Sequence, residues 1–292
     1  MARSVVIIGS GGRLGAALAR EWQKSECQVR GFNHAQLDLR DGAAIRAALE
    51  PLDFDVLVNC AALTNVDRCE RELEEALLVN SDAVATIAGF CARKGARCIH
   101  ISTDYVFDGL KKTPYVEEDE ARPISRYGES KRAGEIALLA ASERHLAVRV
   151  SWVFGPDRLS FVDQVIQRAL EQDRVEAIAD KVSVPTYTQD AARLLAPLLD
   201  ADVGGVLHVC NRGECTWQEY GQHALDCAAA AGVPLRTRKV EPLRLADMTA
   251  FVARRPIYTP LATDKFTQLT GLVPRPWEEA VNEYVRAFWV RK

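Results

Sequence analysis

The chain has 292 residues, of which 48% are hydrophobic and 26% charged, with a net charge of -3 at pH 7. That is the profile of an ordinary globular chain, long enough for one large domain or two smaller ones around a shared cleft. The charge balance excludes the basic footprint of a nucleic-acid or anionic-membrane binder, and no apolar run in the sequence reads as a bilayer span. Eight cysteines are scattered through apolar segments without a CxxC or a histidine at ligand spacing, so no metal site is expected. Met1-Ala2-Arg3-Ser4 leads straight into a strand rather than a signal peptide, which predicts a cytoplasmic protein with reduced thiols.

Residues 4–8 (SVVII) form an unbroken, β-branched apolar run, as in a central parallel strand covered on both faces. The run ends in Gly9-Ser10-Gly11-Gly12-Arg13-Leu14-Gly15, and Leu14, Leu18 and Trp22 then mark the buried face of a helix. Glycines at 9, 12 and 15 between strand and helix predict a phosphate cradle, because backbone amides face the anion and absent side chains let it approach. A tight turn without a ligand is the competing reading.

Residues 28–32 read as the second strand. Its end, Phe32-Asn33-His34, lacks the acidic residue that would bind a ribose diol, and the next carboxylate is Asp38. With Arg13 and Arg30 nearby, this favours a 2'-phosphate and hence NADPH, with NADH as the alternative. Asp38 and Leu39 are assigned to the adenine, although Asp38 could instead cap a helix beginning near Asp41.

Residues 55–62 form another buried strand that ends in Cys60-Ala61-Ala62, small residues that leave room for a cofactor backbone. Thr64, Val66 and Asp67 follow where α/β sheets place ligands. Helical periodicity covers 68–78 and 83–94 and stops at Gly95. The next strand, 98–102, delivers Thr103 to the carboxyl edge of the sheet, and His100 within it reads as a core histidine. The acidic run 117–120 reads as a solvated face. The following helix turns Ala133, Ile136, Ala137, Leu139 and Ala140 inward, and 146–150 is a further strand. This βα alternation predicts a doubly wound parallel sheet.

Beyond Pro156 the pattern loosens into helices at 161–172, 189–199 and 217–231, short strands at 185–187 and 206–210, and a proline-punctuated segment at 241–260. The predicted organisation is a dinucleotide-binding domain over 1–155, with later strands returning from about 184–210. A smaller, interleaved α/β substrate lobe covers 156–292.

The chemistry concentrates between Ser102 and Glu135. Tyr127 and Lys131 lie one helical turn apart on one face. An ammonium beside a phenol favours the ionised form, which suits a proton donor and acceptor for a carbonyl/alcohol couple. Taken alone, a YxxxK pair is common on exposed helices.

Taken with Ser102–Gly109 (STDYVFDG), 127–135 (YGESKRAGE), 152–156 (WVFGP), 184–190 (VPTYTQD) and Arg254-Arg255-Pro256, the chain resembles the extended short-chain dehydrogenase/reductases over nearly its whole length. Within them it is most similar to the dTDP-4-dehydrorhamnose reductase family. The resemblance implies a Rossmann-like fold and a catalytic set of Thr103, Tyr127 and Lys131. Tyr127 would protonate the C4 oxygen as hydride arrives, Thr103 would hydrogen-bond that oxygen, and Lys131 would bind the nicotinamide ribose and lower the tyrosine pKa. Asp104, Tyr105 and Trp152 would position the sugar and Arg255 would face the nucleotide, with plain core packing the competing reading for Trp152. Two departures stand out: Ile8 replaces a threonine common before the glycines, and Thr259-Pro260-Leu261-Ala262 lacks a carboxylate common after the RRP segment. Members of the family can pair as homodimers. A regulatory subunit similar to methionine adenosyltransferase beta, or a nucleotide-sugar epimerase, would share much of this pattern.

Overall fold

The computed structural model describes residues 3–25 and 27–290, so the expected Met1-Ala2 approach to the first strand lies outside the described residues. Six parallel strands form the central sheet in the order β10-β5-β4-β3-β1-β2. Chain order runs β1 (Ser4–Ile8), α1 (Arg13–Trp22), β2 (Gln28–Phe32), α2 (Gly42–Leu49) and β3 (Val56–Asn59). Then come α3 (Val66–Arg71), α4 (Leu73–Leu77), a π-helical turn (Leu78–Asp82), α5 (Ala83–Lys94), β4 (Arg97–Thr103), α6 (Arg126–Ala141) and β5 (Leu146–Val150). Val5 and Ile7 of β1 pack towards α1 and the later helix α8 (Thr188–Leu195), while Val6 and Ile8 pack towards α2 and α5. Burial on both faces explains why β1 carries no polar alternation.

The chain leaves β1 for β2 on one side and returns to β3 on the other. The loops after β1 and β3 therefore meet at the topological switch point, the ligand crevice of such sheets. They touch closely: a Cβ on Gly9, whose φ is +84°, would lie 2.7 Å from the Ala61 nitrogen, and one on Gly15 would fall on the Gly9 carbonyl. Glycine is required at both positions.

The second half contributes β6 (Val153–Phe154), α7 (Phe161–Glu171), β7 (Val175–Ile178), β8 (Val182–Ser183) and β9 (Thr186–Tyr187), all before α8. After it come β10 (Gly205–His208), β11 (Cys215–Thr216), α9 (Trp217–Ala230), β12 (Val240–Leu243), α10 (Asp264–Thr270) and α11 (Trp277–Phe288). β10 returns to the central sheet beside β5. The short strands pair in twos, β6 with β9 and β7 with β12 in parallel and β8 with β11 antiparallel. A separate apolar core joins α7, α9 and α11 through Val165, Tyr220, Leu225, Val281 and Tyr284.

Three local expectations are corrected. α6 buries Tyr127, Lys131, Gly134, Glu135 and Leu138, whereas Ile136 is 55% exposed. The reason is an ion pair: Glu135 accepts both arms of Arg149 at 2.8 Å and the Ser102 hydroxyl at 2.6 Å, which draws a polar face inward. Glu117 is likewise buried rather than solvated, accepting from the His208 amide at 2.9 Å. Third, the continuous helical run Leu73–Lys94 is long and apolar enough by length and composition to cross a membrane. In the fold it packs against α6, α2 and β4.

Candidate active site

Gly12, the residue that precedes α1, offers no capping side chain, and the first turn of the helix holds no acid. Its leading amides are thus left for an outside anion, and the helix dipole favours one there. That fits a dinucleotide pyrophosphate on the expected Gly9, Gly12, Leu14 and Gly15. Arg13 behaves differently from its expected part in recognising a 2'-phosphate. Its guanidinium donates to the carbonyls of Val153 (3.3 Å), Arg158 (3.4 Å) and Leu159 (2.6 Å), fastening the start of α1 to residues 153–159. Arg30 is exposed, leaning over the Phe32 ring at 5.4 Å. Asp38 does not cap α2. Asp41 does, accepting from Ala43 and Ala44, while Asp38 binds Arg40, whose hydrogen bonds lower its carboxyl to about 2. Leu39 is buried in the sheet core, and Ala61 and Ala62 are half-buried beside the glycine turn.

Thr103 ends β4. Its hydroxyl accepts from the Tyr105 amide at 3.2 Å and donates to Asp104 Oδ1 at 3.0 Å. Asp104 Oδ2 also accepts from Ser151 at 2.9 Å. Burial raises the Asp104 carboxyl above its ordinary range, while Lys181 and these hydroxyls oppose the shift. Ser125 caps α6, and the helix start presses so close that a Cβ on Gly128 would fall on the Tyr105 carbonyl. Tyr127 is thereby held edge-on to Tyr105, ring centroids 5.6 Å apart. Val66 packs into the same small cluster, while Thr64 is exposed at its rim.

Lys131 is 1% exposed. Its Nζ donates to the Ile101 carbonyl at 2.7 Å and meets His100 Nε2 at 3.0 Å. The expected lowering of the phenol pKa by this lysine is not what the structure has. Burial raises Tyr127 above its ordinary value, only partly offset by the neighbouring Thr103 hydroxyl, and burial lowers Lys131 to about 8. Desolvation disfavours whichever form is charged, so each group is pushed towards neutrality.

Trp152 packs between Phe161, Trp217 and Tyr220, with centroids 4.7–5.1 Å away. Its φ of +41° is left-handed, a strained conformation that costs on the order of 1–3 kcal/mol and recurs at functional sites. Arg255 is 7% exposed at its side chain and bound to Asp67 through two contacts, Nη1 at 3.2 Å and Nη2 at 2.7 Å. Asp67 also accepts the Val252 and Ala253 amides, both at 2.9 Å, so the RRP segment is strapped to the start of α3.

The structure adds residues that the sequence reading missed. Lys181, 1% exposed, donates to the Pro256 carbonyl at 2.6 Å and lies 5.1 Å from the Tyr105 ring centroid. Asn80 on the π-helical turn binds the Leu63 backbone and Ser130. Neither carries a local motif; a break in helical periodicity near Asn80 was the only available signal.

The RmlD substrate binding domain model matches residues 3–290. The chain belongs to that family. It is 37% identical over 291 residues to a dTDP-4-dehydrorhamnose reductase of Mycolicibacterium smegmatis, covering 98% of this chain and 86% of that one. It is 32% identical over 282 residues to the spore coat polysaccharide biosynthesis protein SpsK of Bacillus subtilis, covering 97% and 96%. Among solved structures, dTDP-4-dehydrorhamnose reductase of Bacillus anthracis in complex with NADP superposes with a TM-score of 0.91 at 29% identity, covering 97% of this chain and 99% of that one.

Proposed function

We propose that this member of the RmlD family is an NADPH-dependent oxidoreductase that reduces the 4-keto group of dTDP-4-dehydrorhamnose to give dTDP-L-rhamnose. One observation carries the reading: Thr103, Tyr127 and Lys131 converge at the carboxyl edge of the sheet, beside a glycine turn whose helix amides are left for an anion. When bound, NADPH supplies the hydride.

The protein's own groups do the rest. Tyr127 gives its phenolic proton to the C4 oxygen as the C–H bond forms at carbon, so the C=O becomes C–OH. A raised phenol pKa keeps that proton in place until the oxygen turns basic. Thr103 donates to the same oxygen by turning its single O–H proton from Asp104 Oδ1 to the substrate, while the Tyr105 amide holds the hydroxyl oxygen. Lys131 presents an N–H to the nicotinamide ribose. Asp104, Tyr105 and Trp152 position the sugar, with Thr64, Val66 and Arg255 towards the nucleotide. Gly9, Gly12, Leu14, Gly15, Ala61 and Ala62 line the dinucleotide, while Asp38 and Leu39 border its adenosine end.

In the same reading, residues 1–155 with the strands returning from 184–210 bind the dinucleotide and the rest of 156–292 binds substrate. A homodimer, implied by the resemblance to these reductases, would be read by sedimentation. The direct test is NADPH consumption by purified protein given dTDP-4-dehydrorhamnose. Tyr127→Phe should retain cofactor binding and lose turnover. A binding subunit would take up nucleotide without consuming it.

A further inference from the structure

His100 lies in the middle of β4 with no exposed surface, yet both of its ring nitrogens have polar neighbours. Nδ1 is 3.2 Å from Asn59 Nδ2 and Nε2 is 3.0 Å from Lys131 Nζ. The proton positions follow from the far end of this chain of contacts. The Ala61 backbone N–H, which can only donate, reaches Asn59 Oδ1 at 3.1 Å. The amide atom facing His100 is therefore the NH2 group, and Nδ1 must accept from it. A neutral imidazole then carries its proton on Nε2, pointing at Lys131. Lys131 accepts that proton only as an uncharged amine. One of its two N–H bonds goes to the Ile101 carbonyl and the other is left for the site.

An ammonium in the same place would set two donors face to face. To accept from it, the imidazole would have to carry its proton on Nδ1. Asn59 would then have to turn its oxygen towards His100, and the Ala61 amide would lose its acceptor. The network thus has two self-consistent states that differ by one proton on Lys131.

We propose that His100 is a positioning residue that couples the protonation of Lys131 to the Ala61 loop flanking the glycine turn. With the amine neutral, the relay Ala61–Asn59–His100–Lys131 is satisfied and the loop is held; proton uptake by Lys131 reverses the relay and frees the loop. The inference rests on the placement of Lys131 in the reductase site proposed above. Burial acts in the same direction, lowering both Lys131 and the imidazole. The other ionisable groups facing the pair are Glu135 on α6, Cys60 after β3 and Cys69 on α3. Glu135 favours the ammonium, but its oxygens already accept from Arg149, Arg132 and Ser102. Burial pushes the thiols of Cys60 and Cys69 up, to about 12 and about 11, so they stay neutral.

The test is nitrogen NMR of the imidazole rings in the full, cofactor-free chain. His100 should show the Nε2–H tautomer above a transition near the Lys131 value of about 8 and the Nδ1–H tautomer below it. In Lys131→Met the Nε2–H form should persist across the range. A single tautomer at every pH in the wild type, or a transition that survives in Lys131→Met, would overturn the proposal. This arm reads the network whether or not the protein turns over, so it separates failure here from failure of the reductase reading. In the kinetic arm, Asn59→Asp offers an acceptor to both Nδ1–H and the Ala61 amide. It should raise the acid limb of kcat/KM by about one pH unit, a tenfold change in proton affinity, and His100→Phe should move it the same way. Lowered rates with an unmoved pH profile in Asn59→Asp would mark His100 as structural only and overturn the proposal.

Discussion

Asn80 Nδ2 donates to Ser130 Oγ at 3.0 Å, tying the π-helical turn of one helix to the helix that carries Tyr127 and Lys131. The same side chain brackets Leu63, accepting its N–H at 2.8 Å and donating to its carbonyl at 3.0 Å. π-turns inside helices recur at functional sites, and here the turn lets one fully buried amide hold both the β3 loop and α6. Asn80→Ala should cost about 1–3 kcal/mol in urea unfolding, because buried backbone groups at Leu63 lose their partners. It should also lower kcat, since Tyr127 shifts with α6.

Gly134 faces the Asn80 carbonyl so closely that an added Cβ would fall on it. Gly134→Ala should therefore destabilise the fold by about 1–3 kcal/mol despite alanine's better helix propensity. Gly89, on the outer side of α5, is different: a Cβ added there would meet only the tip of Arg93, at 3.8 Å. Gly89→Ala should be neutral to stabilising, and paired thermal melts compare the two.

Buried Lys131 and Lys181 are both lowered to about 8. Between that value and the ordinary lysine value of about 10.4, the unfolded chain binds more protons than the folded one, so stability rises with pH across that window. The burial penalty is fully present below pH 8. Lys131→Met should therefore raise the melting temperature at pH 7, with the gain shrinking towards pH 10, while turnover is lost. Differential scanning calorimetry across this range checks the slope, and a gain independent of pH would contradict it.

The Asp67 carboxylate, lowered to about 2 chiefly by hydrogen bonds from Arg255, gathers the 252–255 segment against α3. Because its folded value lies below the unfolded one, this contribution is present above pH 4 and fades as pH falls towards 2. Asp67→Ala frees Arg255 and the strap. Steady-state kinetics should show KM for the sugar nucleotide rising about tenfold, the loss of roughly 1.4 kcal/mol of binding, with kcat nearly unchanged.

Arg13 is occupied by three carbonyls, whereas Arg30 is exposed near the end of β2. Arg30→Ala should raise KM for NADPH about tenfold, as expected for one lost charge-assisted contact, and leave KM for NADH nearly unchanged. Arg13→Ala should instead lower stability, read by denaturant unfolding, because it unfastens α1 from residues 153–159.

Local pattern was enough to read the strands of the central sheet, the glycine turn, the Thr103 position and the Tyr127/Lys131 spacing, because each depends on neighbours within a turn or a strand. Burial on both faces leaves an unbroken apolar run in β1, and backbone packed so closely that a Cβ has no room leaves glycines at 9 and 15. What α6 turns inward was not legible, since its polar face is stabilised by Arg149 on β5, a partner that follows it in the chain by more than a helical turn. The same holds for Asn80 with Leu63 and Ser130, for Lys181 beneath Tyr105, and for Arg13 spanning to residues 153–159. The order of residues by itself determined which chemical groups exist and which sheet edge they reach. Tertiary packing alone decided their protonation and pairing, because desolvation and hydrogen bonding depend on atoms brought together from distant parts of the chain.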